Sequence, residues 1–220
     1  MHQRISSRWS RAAAIVGILA GLLAWPGAGN AQLLTIPTQT LTDTTQLLTG
    51  STQTLSGQAS AVTVVVLGTV TSLADTGTLV YAADPLGTGQ PTGSIPGLLS
   101  AEALHAVTMG WTDQVASEAS LGNLAMSVAG IGVSAEAIMS RALAVSGAGS
   151  TGLTNIDGLT IGGVSVAPAG IPNQQISIAG LSIILNEQIQ SASGIVVNAL
   201  HVRTLDGLTD VVVGSAKAGI

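Results

Sequence analysis

The alternation of apolar and polar residues is clearest at the C-terminal end of the chain, over residues 176–218. Three apolar runs rich in valine, isoleucine and leucine are separated there by two polar breaks, at 191–194 and 205–207. β-Branched side chains favour strands over helices. The pair Asp206-Gly207 is typical of a hairpin turn, because glycine accepts positive φ and aspartate tolerates it. The pattern therefore predicts a β-meander.

The last apolar run contains three consecutive valines, Val211, Val212 and Val213. A run of this kind is typical of a central strand whose two faces are both covered. We therefore expect all three valines to be buried.

Other segments also have the composition of strands. Residues 61–70 form a run of valine and threonine around one glycine, which predicts a strand, with 78–82 as its partner. Residues 114–128 and 153–167 are strand-like as well. Asp157-Gly158 and Gly162-Gly163, both in the second of these segments, are hairpin or bulge signals.

Three segments are less regular. Residues 84–97 contain three of the seven prolines and four glycines, and this composition predicts a loop. Residues 98–109 and 134–145 fit a helix and a strand equally well, and periodicity alone leaves both open.

The composition favours thin layers. The chain has no cysteine and no phenylalanine, and beyond residue 25 its only aromatic residues other than histidine are Tyr81 and Trp111. A core of valine, isoleucine, leucine, alanine and glycine suits sheets that approach closely. We expect an all-β protein, a two-layer sandwich of antiparallel strands. A β-solenoid is the alternative, since small residues and glycine-punctuated runs also suit stacked coils.

The first 31 residues have the order of a secretory signal peptide. Arg4, Arg8 and Arg11 precede an apolar run at 12–25, and small residues follow before Gln32. Fourteen apolar residues are too few for a typical membrane-spanning helix. We expect cleavage before Gln32 and export by the general secretory route to the periplasm, the cell surface or the medium. No stable membrane span is expected after cleavage.

Four seven-residue units follow the predicted cleavage site, with leucine at the same place in each: Leu34, Leu41, Leu48 and Leu55. Threonine is frequent between them and is a poor helix former. We therefore interpret residues 32–58 as a low-complexity linker and residues 59–220 as the β-rich domain. A short oligomerising helix is the alternative interpretation of the repeats.

Charge excludes some partners. Beyond residue 11 the chain has three basic residues, Arg141, Arg203 and Lys217, against all eleven acidic ones. Such a chain lacks the basic patch that binds nucleic acid or an anionic membrane.

Two local patterns suggest a binding site, but the surrounding sequence favours neither a dinucleotide site nor a metal site. Residues 147–152 match a dinucleotide-binding glycine pattern, but a strand and a turn follow where the pattern needs a helix, so we expect a hairpin loop. His105 and His201 are too far apart in sequence to suggest a metal cluster. By period two, His201 shares a face with Val197, Ala199 and Arg203, which is typical of a packed or edge histidine.

Glu187 is the most unusual polar residue, since it interrupts an apolar run. Alternation places it on the face that holds Leu181, Ile183, Leu185 and Ile189. A buried carboxylate needs a partner, and we expect Arg141 or Arg203. The alternative is a calcium site that Glu187 forms with Asp157, Asp206 or Asp210.

Three motifs in order carry a resemblance: 185–188 (LNEQ), 194–202 (GIVVNALHV) and 208–216 (LTDVVVGSA). With them, residues 59–220 resemble the choice-of-anchor P family of bacterial secreted or surface domains. The resemblance implies that the two ambiguous central segments are strands, and it implies no enzymatic role. No anchor tail follows the last motif, so we expect a domain that is released or held by a partner.

The sequence thus predicts an exported, non-catalytic structural or interaction module of the bacterial cell envelope or extracellular space. The alternative is a glycan-binding or calcium-binding module. Expected partners are an envelope protein or a polysaccharide. We assign no catalytic, cofactor-binding or metal-binding residue.

Overall fold

The computed structural model describes residues 54–81, 85–178 and 180–220. The predicted signal peptide and most of the predicted linker lie outside these ranges. The described residues form thirteen strands and no helix, so no described helix crosses a bilayer. They belong to one compact unit that begins at Ser51.

Two antiparallel sheets pack face to face and confirm the sandwich; nothing in them supports the solenoid alternative. The first, sheet A, has the order β10-β11-β12-β13-β1-β2. Its strands are β1 (Ser56–Val66), β2 (Thr69–Asp75), β10 (Gln174–Ile178), β11 (Leu181–Ser191), β12 (Gly194–Thr204) and β13 (Thr209–Gly219).

Sheet B has the order β3-β4-β5-β6-β8-β9, and β7 also pairs with β6. Its strands are β3 (Leu86–Ile95), β4 (Leu99–Gly110), β5 (Gln114–Val128), β6 (Ile131–Val145), β7 (Gly149–Asp157), β8 (Thr160–Ile161) and β9 (Val164–Ser165).

Most predicted elements are present. The meander is present, with turns at both predicted breaks, and comprises β10 to β13. Its first predicted run is not one strand, because β10 and β11 divide it and pair as a hairpin. The two ambiguous segments are strands β4 and β6, and the glycine pattern at 147–152 spans a hairpin turn and the start of β7.

Two predictions about segments were wrong. Residues 61–70 are not one strand: the chain turns at Leu67-Gly68, and the partner of β1 is β2, not 78–82. Residues 84–97 are not a loop, since they contain β3. This strand pairs only with β4. An edge strand accommodates Pro91 because one of its sides needs no ladder hydrogen bonds.

The alternation of buried positions shifts by one residue within both sheets. In β12 the buried set runs through Val197 and Ala199 and then continues at Leu200 and Val202. Single left-handed residues accompany the shift in neighbouring strands, among them Asn186, Gly214, Ala103 and Asn123. A β-bulge of this kind moves all later side chains of a strand to the opposite face.

The prediction for the three valines was wrong at one position. β13 is a central strand between β12 and β1, and Val211 and Val213 are fully buried. Val212 lies on the outer face of sheet A and is only half-buried, because the second layer covers the inner face alone.

The layers approach closely, as the composition predicts. A Cβ on Gly57 of sheet A would collide with the side chains of Thr108 and Val115 of sheet B. Within the core, the Ser117 hydroxyl of sheet B donates a hydrogen bond to the Lys217 carbonyl of sheet A, at 2.6 Å. Glycine and serine thus allow the backbone of one sheet to contact the other.

Candidate functional site

The strongest polar cluster lies on the outer face of sheet A, across three adjacent strands. β11 contributes Glu187, β12 contributes Asn198 and His201, and β13 contributes Asp210 and Ser215. Their order follows from the register, since Glu187 lies opposite Asn198 and Asn198 lies opposite Ser215. The strand pairing thus aligns Glu187, Asn198 and Ser215 in a row, and His201 and Asp210 lie beside this row on β12 and β13.

The shift in alternation places Glu187 on this face. Leu181, Ile183 and Leu185 are buried in the core, and Asn186 then adopts a φ of 50°. Glu187 consequently points outwards instead of following the leucines. We predicted that Glu187 shares a face with Leu181, Ile183, Leu185 and Ile189. The prediction was wrong for the first three, which face the core, and right for Ile189, which is exposed.

The same effect separates His201 from its predicted neighbours. Val197 and Ala199 face the core, whereas His201 and Arg203 lie on the outer face. The prediction that His201 shares a strand face with Arg203 is therefore correct. The prediction that it shares one with Val197 and Ala199 is wrong.

Continuous hydrogen bonds join the five side chains. His201 Nε2 lies 2.9 Å from Asp210 Oδ1, and His201 Nδ1 lies 2.8 Å from Glu187 Oε2. Asn198 Nδ2 donates to the same Glu187 oxygen at 2.7 Å, and the Ser215 hydroxyl donates to Asn198 Oδ1 at 2.7 Å. We call this set the His201 network.

The two carboxylates determine the charge of the imidazole. An ionised carboxylate only accepts hydrogen bonds, so the imidazole bonds to Glu187 and Asp210 together only when both of its nitrogens carry a proton. Burial lowers the pKa of His201, but the hydrogen bond to Glu187 and the attraction of Glu187 and Asp210 outweigh it, and the net pKa is raised. The hydrogen bond from His201 in turn lowers the pKa of Glu187, against the opposing effect of burial.

The prediction that Glu187 pairs with an arginine was wrong. Arg141 lies in sheet B, where its guanidinium pairs with Glu118. Arg203 lowers the pKa of Glu187 by its charge, but the hydrogen bonds to Glu187 come from His201 and Asn198. A carboxylate in this position does need a partner, and a histidine takes the place of the arginine.

The calcium alternative gains no support from the geometry. Asp157 lies in sheet B, Asp206 lies in the β12–β13 turn, and Asp210 binds His201. Among the described residues no three acidic or histidine side chains are grouped so as to hold a metal ion. His105 is exposed on β4 of the other sheet, apart from His201.

The His201 network is also poorly suited to acid–base catalysis. A general base needs a free nitrogen within reach of the proton that it removes. Both nitrogens of His201 are engaged by carboxylates, and Ser215 donates its proton to an amide and not to the ring. The network thus cross-links three strands.

Two of the surface depressions are candidate binding surfaces because of the residues that line them. The first, of about 300 Å³, adjoins the network on sheet A and is lined by Ser60, Val212, Lys217 and their neighbours. The second, of about 350 Å³, lies on sheet B between Trp111 and the Glu118–Arg141 pair. Ligand pockets in proteins commonly measure about 300–1,000 Å³, so each suits a small group.

Comparison with family models, with curated proteins and with solved structures finds no match to this chain. The resemblance to the choice-of-anchor P family therefore stays a prediction from its three motifs.

Proposed function

We propose that this protein is an exported, non-catalytic structural or interaction module of the bacterial cell envelope or extracellular space. The observation that carries the non-catalytic part is the engagement of both His201 nitrogens by Glu187 and Asp210. In this arrangement both ring nitrogens bond to carboxylates of the neighbouring strands, so the histidine cross-links the strands.

Three further observations support the proposal. The first 31 residues have the order of a signal peptide. The absence of cysteine spares the chain any redox chemistry of thiols outside the cytoplasm. The choice-of-anchor P resemblance implies that segments 98–109 and 134–145 are strands, and these segments correspond to β4 and β6.

Exposed apolar residues at two neighbouring hairpin turns also support a role in binding another molecule. Leu67 in the β1–β2 turn and Leu208 in the β12–β13 turn are both exposed, and the Leu67 amide donates to the Leu208 carbonyl at 2.9 Å. Leu205, in the same turn as Leu208, is exposed as well. Clustered exposed leucines are typical of surfaces that contact another molecule.

Export has a direct test. The full chain is expressed in a bacterial host, and protein outside the cytoplasm is subjected to N-terminal sequencing. We expect the mature chain to begin at Gln32. A matched variant, Leu19→Arg, introduces a charge into the apolar run at 12–25 and should remain in the cytoplasm. Protein that is recovered outside the cytoplasm with Met1 intact would overturn the proposal of a cleaved signal peptide.

A further inference from the structure

The depression on the outer face of sheet B combines an exposed tryptophan with an apolar floor. Trp111 directly follows β4, and 41% of its surface is exposed. Met109 and Leu143 line the depression beside it and are half-buried. Tyr81, the only other Phe, Tyr or Trp residue among those described, does not line this depression. An indole left open to solvent beside apolar side chains indicates a surface for a flat apolar group.

The wall of the depression offers hydrogen-bond donors from Arg141 and an acceptor oxygen from Glu118. The Arg141 guanidinium contacts Glu118 through Nε and Nη2, and both reach the same oxygen, Oε2; the Nε distance is 2.9 Å. The second carboxylate oxygen and the third guanidinium nitrogen take no part in these two bonds. The side chains remain open to solvent, at 56% for Arg141 and 28% for Glu118.

The charges in the depression cancel. Arg141 and Glu118 neutralise each other, so a charged ligand would gain little from the pair and would compete with one of its partners. An uncharged ligand with several hydroxyl groups can use the remaining N–H groups of Arg141 and the second oxygen of Glu118 together. The negative face of an indole ring attracts the weakly positive C–H groups of an apolar face.

We infer that the depression between Trp111 and the Glu118–Arg141 pair binds a neutral pyranose unit of a glycan. One face of such a ring carries C–H groups that pack on the indole, and its hydroxyls bind Glu118 and Arg141. The volume of about 350 Å³ suits a single ring. The inference rests on the proposed role as an interaction module outside the cytoplasm, because glycans of this kind are found there.

The test uses the tryptophan fluorescence of the purified protein. Trp111 is the only tryptophan once residues 1–31 are cleaved, and Trp9→Phe with Trp25→Phe removes the other two from any chain that keeps these residues. Glucose, galactose, mannose and N-acetylglucosamine, and short oligosaccharides of each, are titrated in. We expect at least one of them to shift the emission in a saturable manner at millimolar concentration. Glucuronate, which carries a charge, should bind more weakly than glucose.

Variants then locate the site by calorimetric titration. Trp111→Ala should weaken binding at least about tenfold, because a few aromatic residues contribute most of the binding free energy at a small interface. Glu118→Gln should weaken it less, since the amide retains an acceptor. Tyr81→Ala, at an exposed aromatic residue outside the depression, should bind as the parent does. Melting temperatures equal to that of the parent establish that the variants are folded.

Two results would overturn the inference. One is the absence of binding for every neutral sugar in a folded parent, and the other is unchanged binding in Trp111→Ala. A mature chain that begins at Gln32 but binds no sugar would leave the proposed function standing and remove the glycan inference alone.

Discussion

At the scale of single residues, His201 is the side chain that depends most on its surroundings. The two carboxylates that flank it stabilise the doubly protonated ring, and the net pKa of His201 is raised. Its contribution to stability is fully present below the ordinary value of 6.5 and is lost as the pH rises through the folded pKa. The pKa of Glu187 is lowered, so its contribution is present above 4.5 and is lost as the pH falls through the folded pKa.

The contribution of His201 and Glu187 to the free energy of unfolding should therefore be greatest between pH 4.5 and 6.5 and should fall on the alkaline side. His201→Gln should remove the alkaline loss. It should also destabilise the protein at pH 6 by about 1–3 kcal/mol, because the half-buried carboxylates of Glu187 and Asp210 lose the donor that they share. The measurement is urea denaturation of parent and variant across the pH range.

His105→Gln is the matched control for this prediction, since His105 is exposed on β4. It should retain the stability and the pH dependence of the parent. An equal alkaline loss in the parent and in His201→Gln would contradict the assigned charge of the network.

At the scale of elements, the decisive feature is the shift in alternation. Asn186 in β11 and Gly214 in β13 both have positive φ, and beyond them the strands present the opposite set of side chains to the core. Glu187 and Ser215 follow these two residues directly and face outwards as members of the His201 network. The bulges thus determine which residues form the site.

Gly214 should tolerate no side chain. It has a φ of 64°, and a Cβ there would lie 3.2 Å from Ile138 of sheet B and 3.3 Å from Ala199. We expect Gly214→Ala to reduce the free energy of unfolding by about 2–4 kcal/mol, from left-handed backbone strain and overpacking together. Chemical denaturation measures the loss.

Gly207→Ala separates these two effects. Gly207 has a φ of 73° in the β12–β13 turn, and a Cβ at this position would meet no other atom within 4 Å. This variant should lose only about 1–2 kcal/mol, from backbone strain alone. Equal losses in the two variants would mean that the contact of Gly214 with the opposite sheet is not tight.

At the scale of the whole molecule, the sandwich begins inside the last of the seven-residue repeats. Leu55, the fourth repeated leucine, is buried, and β1 begins at Ser56. The Gly57 amide and carbonyl both bond to Leu79. The last repeat therefore supplies part of the domain, and the other three precede it.

Two deletions test this division. Removing residues 33–50 leaves the compact unit that begins at Ser51 and should not change the melting temperature. Removing residues 33–57 also removes Leu55 and the start of β1, and should cost at least about 2–3 kcal/mol from the lost burial of leucine and the lost strand pairing. Thermal unfolding of both proteins beside the parent decides the question. A loss of cooperative unfolding in the shorter deletion would mean that the first repeats stabilise the domain.

Much of the fold was open to prediction because strands and turns depend on local sequence. Runs of β-branched residues identified β11 to β13, and Asp206-Gly207 identified the turn between β12 and β13. The same reasoning failed for β3, because glycine and proline are typical of loops, yet an edge strand accepts them when only one side must be paired. It failed again at Leu67-Gly68, where a turn lies inside an unbroken apolar run.

The amino-acid sequence alone was enough to predict the all-β class, the hairpins of the C-terminal meander and the close approach of the sheets through small side chains. These properties follow from backbone preference and residue size, which act locally. The partner of Glu187 and the face of His201 could be assigned only from the folded chain. Both depend on the left-handed conformations of Asn186 and Gly214 and on the register of three strands. Period-two alternation fails at a bulge, because one residue in the left-handed conformation exchanges the two faces of the strand beyond it.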